Sequence, residues 1–160
     1  MDRLQQFESP KVRYVLTSES TEQTLEIGRR IGQLLPSGSV LSLEGGLGVG
    51  KTLLVKGICA GLGVDSEVLS PSFILLEEYR GELPVLHFDL FRLDDMDDVM
   101  DVGLFDAIDG CNIVIVEWGD RLPQGVLGVD IRVTMRITGP ESREIFIEAY
   151  KNFLEALEEA

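Results

Sequence analysis

A glycine-rich segment, Gly45 to Thr52, constrains the fold of this chain more than any other part of its sequence. It reads Gly-Gly-Leu-Gly-Val-Gly-Lys-Thr and fits the pattern G-x-x-x-x-G-K-[ST] of a phosphate-binding loop. The glycines allow the backbone to fold around a phosphate chain with its N–H groups turned inward. In this pattern Lys51 contacts the β- and γ-phosphates, and the hydroxyl of Thr52 is suited to Mg²⁺. The segment therefore predicts binding, and hydrolysis, of a nucleoside triphosphate.

The flanking sequence argues against an accidental match of this pattern. Residues 40–44, Val-Leu-Ser-Leu-Glu, predict a strand that leads into the loop. Residues 51–62 predict a helix, with apolar side chains spaced so that they can be buried along one side. The N-terminus of such a helix adds the positive end of its dipole to a phosphate site.

The remaining patterns predict an α/β fold of the P-loop NTPase type, a mixed sheet with a parallel centre and antiparallel hairpins, flanked by helices. Ser20 opens a helix, and Gln23 is placed to complete a capping box. We expect residues 1–11 to be loose and residues 12–160 to form a single P-loop ATPase domain. The other expected elements are a strand at 12–17, hairpins at 73–91 and 130–149, a helical region at 94–108, a strand at 112–118 buried on both faces, and a helix after 150.

The amino-acid composition of the chain limits the kinds of partner that it can bind. Its 28 acidic and 14 basic residues give a net charge of −14, which repels the phosphate backbone of nucleic acid and favours basic protein partners. Cys59 and Cys111 belong to no C-x-x-C pair, so we expect two buried, reduced thiols rather than a zinc site. The N-terminus has no apolar run, so we expect no signal peptide, no membrane span and a cytoplasmic protein.

Two acidic residues follow apolar runs and are candidates for the carboxylate that a phosphate loop needs for Mg²⁺ or for the attacking water. Glu117 ends the run Ile-Val-Ile-Val at 113–116, and Asp89 lies in Leu-His-Phe-Asp-Leu-Phe-Arg at 86–92. A carboxylate after a buried strand is costly unless it emerges at a polar site, which favours a functional Glu117 over an exposed strand-end acid. For Asp89 a role as a turn acid beside Arg92 remains equally open.

Several further residues have less specific signals. His87 is the only histidine of the chain and is more typical of a packed structural residue than of a base. Ser70-Pro71-Ser72-Phe73 is either a switch that senses the γ-phosphate or an ordinary turn. The acids at 94–101 predict a solvated helix face rather than a cation site. The N-K-x-D pattern used for guanine recognition is absent, which favours ATP.

Taken in order, the motifs of this chain resemble those of the TsaE family, also called YjeE. The resemblance covers roughly residues 12–150 by the order of its motifs. Its members are small bacterial P-loop ATPases that help to make N6-threonylcarbamoyladenosine (t6A) in tRNA. The segments that carry the resemblance are Glu44–Thr52 for the loop, Ser70–Phe73 for the Ser-Pro-Thr-Phe/Tyr switch, His87–Leu93 for His-x-Asp-Leu-Tyr-Arg-Leu, Val102–Asp106 for Gly-Leu/Ile-x-Asp, and Ile115–Trp118 for the Glu-Trp motif.

The resemblance implies specific roles for residues of this chain. Thr52 and Glu117 would coordinate Mg²⁺, and Asp89 would be a Walker B-like acid close to the metal and the attacking water. Lys51, Asp89 and Glu117 would form the catalytic set. The phosphates of ATP would be bound by Leu47, Gly48, Val49, Gly50, Lys51 and Thr52. Family members act with TsaD and TsaB, so tRNA would be contacted only indirectly, through that complex.

The departures from the family pattern are small. Ser72 replaces threonine and keeps the hydroxyl, Phe91 replaces tyrosine and lacks the phenol, and Gly119 stands where proline is usual. Two other readings remain open, a small-molecule kinase and a module in which bound ATP only controls docking. Phosphate release from ATP without an added acceptor, measured with and without TsaD and TsaB, separates the three.

Overall fold

The computed structural model describes residues 9–69 and 75–160, and within these residues it contains seven strands in one sheet. The order of the strands across the sheet is β1-β7-β6-β2-β5-β4-β3. Their bounds are Lys11–Ser18 (β1), Val40–Glu44 (β2), Leu76–Arg80 (β3), Pro84–Asp89 (β4), Ile113–Glu117 (β5), Ile131–Ile137 (β6) and Arg143–Tyr150 (β7).

The centre of this sheet is parallel and its two sides are antiparallel. Strand β2 pairs in parallel with both β5 and β6, and β4 pairs in parallel with β5. The pairs β1–β7, β6–β7 and β3–β4 are antiparallel. The predicted fold class, a mixed sheet with a parallel centre and antiparallel hairpins, is thus confirmed.

Helices cover the sheet on both faces and divide its apolar residues between two clusters. The α-helices among the described residues are Thr21–Leu34 (α1), Lys51–Gly61 (α2), Met96–Asp101 (α3), Leu104–Ala107 (α4) and Lys151–Glu159 (α5). The first cluster combines α1, α2 and α5 with Ile113 and Ile115 of β5, and the second combines α3 and α4 with Val114 and Val116. Alternate residues of β5 therefore enter opposite cores, as predicted for a strand buried on both faces.

Helices α1 and α2 approach each other closely because glycines line their contact. Gly28 and Gly32 on α1 face Gly57 and Gly61 on α2. A Cβ added at Gly32 would lie 2.1 Å from the carbonyl oxygen of Ile58, and each of the other three would lie within 2.5 Å of a backbone oxygen. Only glycine permits this approach, which fixes the helix that follows the phosphate loop against the rest of the domain.

The predicted helix start at Ser20 is present, with one difference in its capping. Ser20 Oγ accepts a hydrogen bond from the backbone N–H of Gln23 at 3.1 Å. The side chain of Gln23 accepts from the backbone N–H of Glu19 at 2.7 Å, one residue before the position expected in a capping box. At the other end α1 stops at Leu34, ahead of Pro36.

Two other expectations are adjusted by the structure. The acidic region 94–108 forms two short helices rather than one, because Gly103 adopts a left-handed conformation with φ of 81° between them. Strand β1 begins at Lys11, the last residue of the segment expected to be loose, and residues 1–8 lie outside the described part of the chain. None of the helices formed by the described residues is long and apolar enough to cross a membrane.

The prediction of two buried thiols is correct for one cysteine and wrong for the other. Cys59 is buried in α2, and its burial raises the pKa of the thiol to about 12. Cys111 is exposed because it lies before β5 begins, in a turn whose backbone N–H donates to Asp109 Oδ1 at 2.8 Å.

Candidate functional site

The phosphate loop connects the end of β2 to the start of α2. Gly48 and Gly50 adopt positive φ angles of 72° and 111°, and Gly50 is the residue that caps α2. A Cβ at Gly48 would meet no atom within 4 Å, so glycine is needed there for its backbone conformation rather than for space. The loop thereby directs the N-terminus of an 11-residue helix towards the cleft that it encloses.

The hairpin formed by β6 and β7 supports this loop from one side. Arg143 on β7 donates from Nε to the carbonyl oxygen of Val49 at 2.7 Å. A Cβ at Gly45 would lie 2.8 Å from the carbonyl oxygen of Met135 on β6, so the loop and the hairpin are in close contact. Sequence reasoning missed Arg143, because no motif connects it to a loop that lies 94 positions earlier in the chain.

Lys51 is buried at the first position of α2, with 6% of its surface exposed. Its Nζ donates to the carbonyl oxygens of Gly45 and Gly46 at 2.7 and 2.8 Å. The same ammonium lies 4.1 Å from the centre of the Trp118 ring, in a cation–π contact. The lysine therefore links the loop to the end of β5.

Burial of Lys51 lowers the pKa of its ammonium, because the charged form loses solvation. The negative charges of Glu117, Asp89 and Asp120 oppose this shift. The site thus holds a partly desolvated cation among carboxylates, an arrangement in which electrostatic interactions are stronger than at an open surface.

The two predicted acidic residues lie side by side at the ends of neighbouring strands. Strands β4 and β5 are parallel, and Asp89 is in register with Glu117. Both residues are only 2% exposed. The carboxyl ends of parallel strands are where α/β sheets bind their ligands, and the phosphate loop follows β2 at the same edge. The reading of Glu117 as an exposed strand-end acid is therefore wrong.

Each oxygen of the Glu117 carboxylate has its own partner. Oε1 accepts a hydrogen bond from the hydroxyl of Thr52 at 3.3 Å. Oε2 lies 2.6 Å from Nε2 of His87, whose side chain is fully buried. The other ring nitrogen of His87, Nδ1, has no hydrogen-bond partner among the described residues. The lone histidine is thus packed, as expected, and it also contacts a candidate metal ligand.

Asp89 combines a local role with a place in the cleft. Its Oδ1 accepts from the backbone N–H of Phe91 at 2.9 Å, an interaction that turns the chain and ends β4 two residues earlier than predicted. The turn-acid interpretation of Asp89 is therefore correct in part. The same residue also lines the cleft beside Glu117.

Trp118 follows Glu117 in a left-handed conformation, with φ of 62°. Its ring packs against Phe91 with centroids 5.0 Å apart, and the guanidinium of Arg121 lies 5.7 Å from its centre. A Cβ at Gly119 would lie 2.1 Å from Ser42 Oγ. Gly119 thus allows a close approach of this turn to β2.

The cleft enclosed by these elements has a volume of about 230 Å³, and the phosphate loop, Asp89, Glu117 and Trp118 line it. Thr52, Glu117 and Asp89 offer the hard oxygen donors that Mg²⁺ prefers. The described residues contain no group of three or more His, Cys, Asp or Glu side chains that could hold a metal, so an ion here would complete its shell with phosphate and water. The Ser70–Phe73 segment lies outside the described residues.

Comparison with known proteins identifies a family for this sequence and fold. The family described as "Threonylcarbamoyl adenosine biosynthesis protein TsaE" matches residues 18–145. A protein of Treponema pallidum (strain Nichols) named tRNA threonylcarbamoyladenosine biosynthesis protein TsaE is 36% identical over 130 residues, which are 81% of this chain and 96% of the relative. The protein of the same name from Bacillus subtilis (strain 168) is 34% identical over 137 residues, 85% of each chain.

A solved structure agrees with this assignment. The crystal structure of YdiB from Bacillus subtilis superposes with a TM-score of 0.72 at 30% identity and covers 94% of both chains. The similarity therefore extends over nearly the whole fold, beyond the phosphate loop that many unrelated proteins share.

Proposed function

This chain belongs to the TsaE family of tRNA threonylcarbamoyladenosine biosynthesis, and we propose that its part in that process is the Mg²⁺-dependent hydrolysis of ATP to ADP and phosphate. The observation that carries the proposal is the convergence of four side chains on one cleft. Lys51 and Thr52 come from the phosphate loop, and Asp89 and Glu117 come from the ends of β4 and β5. These are the cation, hydroxyl and carboxylates that phosphoryl transfer requires.

The binding step uses the backbone of the loop and one lysine. Backbone N–H groups of Leu47 to Thr52 and the N-terminus of α2 bind the phosphates. The ammonium of Lys51 exchanges two carbonyl acceptors for phosphate oxygens, and hydrogen bonds between charged partners are stronger. Thr52 and Glu117 would hold Mg²⁺, which would supply positive charge to the phosphates.

The hydrolytic step needs a water molecule oriented towards the γ-phosphorus. We assign this role to Asp89, whose carboxylate lines the cleft next to Glu117 and accepts hydrogen bonds. As the water oxygen bonds to phosphorus, the bond from phosphorus to the bridging oxygen breaks, ADP leaves, and the proton of the water passes to an oxygen of the phosphate that is released. During this step the ammonium of Lys51 faces the charge that develops on the transferred group.

A dependence on partners follows from what lines the cleft. Among the described residues that enclose it there is no arginine, the group that commonly stabilises the transition state of related NTPases. We propose that the TsaD–TsaB complex completes or orders the site, and that this complex makes the direct contacts with the tRNA. We also propose that the protein acts in the cytoplasm. The net charge of −14 suits docking to a basic surface and disfavours direct contact with tRNA.

The test measures phosphate release from ATP with the protein alone and with TsaD and TsaB, at low and at moderate salt. We expect the protein alone to release phosphate slowly and the partners to accelerate this release markedly. The acceleration should become smaller as the salt concentration rises. Glu117→Ala should weaken the Mg²⁺ dependence of nucleotide binding. Fast hydrolysis that the partners do not alter would contradict the accessory role, and turnover only with a small-molecule acceptor would indicate a kinase.

A further inference from the structure

We propose that His87 is a positioning residue for Glu117, holding its carboxylate so that Oε1 faces Thr52, where it would serve as a ligand of Mg²⁺. This inference rests on the proposed function, because it assigns Glu117 as a ligand of Mg²⁺. It adds a residue that contacts neither nucleotide nor metal and acts only through the carboxylate.

The contact between the two residues is short and completely buried. His87 Nε2 and Glu117 Oε2 are 2.6 Å apart, and His87 has no exposed surface. A hydrogen bond to a carboxylate is stronger than one between uncharged groups, and in a buried site no water competes for it. The bond therefore fixes both the position and the rotation of the Glu117 side chain.

The second ring nitrogen indicates which atom carries the hydrogen. Nδ1 of His87 has no partner among the described residues, and an N–H there would be a buried donor without an acceptor. A hydrogen on Nε2 is donated to the carboxylate oxygen Glu117 Oε2, 2.6 Å away, which can only accept, and it leaves Nδ1 as an unpaired acceptor rather than an unpaired donor. If His87 only filled space in the core, an apolar side chain would do so equally well without burying polar nitrogen atoms. The bond to Glu117 is thus what histidine contributes at this position.

The hydrogen bond from His87 orients Glu117 because the two oxygens of the carboxylate have different partners. With Oε2 held by His87, Oε1 is the oxygen directed at the Thr52 hydroxyl, 3.3 Å away. Glu117 also attracts the nearby ammonium of Lys51. Without the imidazole, the carboxylate can rotate towards that ammonium and away from the position of a metal ligand. Removing a group that orients a metal ligand in this way typically lowers the affinity for the metal by roughly 10- to 100-fold.

Three substitutions of His87 separate orientation from packing. His87→Gln places an amide N–H close to the position of Nε2, His87→Asn has a shorter amide that cannot reach Glu117, and His87→Leu fills the space without a donor. The affinity for ATP would be measured by calorimetry while Mg²⁺ is titrated, and again in excess chelator. In His87→Asn and His87→Leu, we expect the Mg²⁺ concentration that gives half of the maximal increase in ATP affinity to rise roughly 10-fold or more. Affinity in chelator should change much less than the Mg²⁺ response, and His87→Gln should stay close to the wild type in both.

Tyr79→Phe is the matched control, since Tyr79 is buried with its ring centre 6.2 Å from that of His87 and donates to the backbone of Leu69 rather than to Glu117. It should lower thermal stability without changing the Mg²⁺ response. If His87→Leu does not fold, the comparison of His87→Asn with His87→Gln decides. Equal Mg²⁺ responses in these two, or a loss of stability alone, would overturn the positioning role. A wild type whose ATP affinity ignores Mg²⁺ would instead refute the proposed function.

Discussion

Replacing Gly32 with alanine should separate α1 from α2 at the point where their backbones are closest. The added Cβ would lie 2.1 Å from the carbonyl oxygen of Ile58, whereas Cβ atoms essentially never approach closer than 3.0 Å. The two helices must therefore move apart locally by about 0.9 Å. Because the obstructing atom belongs to the backbone of α2, no side-chain rotation can relieve the contact.

The cost of this movement exceeds the gain from the alanine itself. Forcing an extra methyl group into a packed contact costs about 1–3 kcal/mol, and occasionally more. A gap of this size also removes roughly a quarter to a half of the dispersion energy of each affected contact, and the neighbouring Ile31 and Ile58 are both fully buried. Alanine gains about 1 kcal/mol over glycine inside a helix. The lost dispersion energy offsets the gain from alanine, so we expect a net loss of about 1–3 kcal/mol in the free energy of unfolding.

Urea denaturation followed by circular dichroism measures this loss directly. The control is Gly128→Ala, since a Cβ at Gly128 would meet no atom within 4 Å. The melting temperature of Gly32→Ala should fall by about 2–4 °C for each kcal/mol lost. If Gly32→Ala is as stable as Gly128→Ala, the close approach of the helices is not a constraint on the fold and the packing argument fails.

Three further predictions concern the site and the thiols. Lys51→Ala should remain folded by circular dichroism and release phosphate at least roughly 100-fold more slowly with TsaD and TsaB present, because the developing γ-phosphate charge loses its cation; unchanged turnover would contradict the site. Asp89→Ala should keep more Mg²⁺-dependent ATP affinity than Glu117→Ala while hydrolysis falls, as judged by calorimetry and phosphate release, and an equal loss of affinity in both would argue against separate roles. A thiol reagent should modify the exposed Cys111 in the native protein and the buried Cys59, whose pKa is raised to about 12, only after unfolding, with mass spectrometry identifying the site.

The fold was largely predictable because its signals are local. The alternation at 130–149 and the apolar run at 113–116 depend on neighbouring residues, and both led to correct strands. The split of the region 94–108 depended on one left-handed glycine, which periodicity does not reveal. The close packing of α1 on α2 was also missed, although Gly28, Gly32, Gly57 and Gly61 recur at spacings of four on each helix.

The site separates in the same way into local and long-range parts. The sequence by itself determined the phosphate loop, since the glycines, Lys51 and Thr52 lie within eight consecutive residues and their conformation follows from the backbone of that segment. Only the tertiary structure decided how the loop meets its carboxylates. The order of the strands sets β5 between β2 and β4, and the parallel register places Asp89 opposite Glu117 and His87 within reach of it. Such contacts join residues tens of positions apart, so they depend on which strands pair and in what register, and no local pattern encodes that choice.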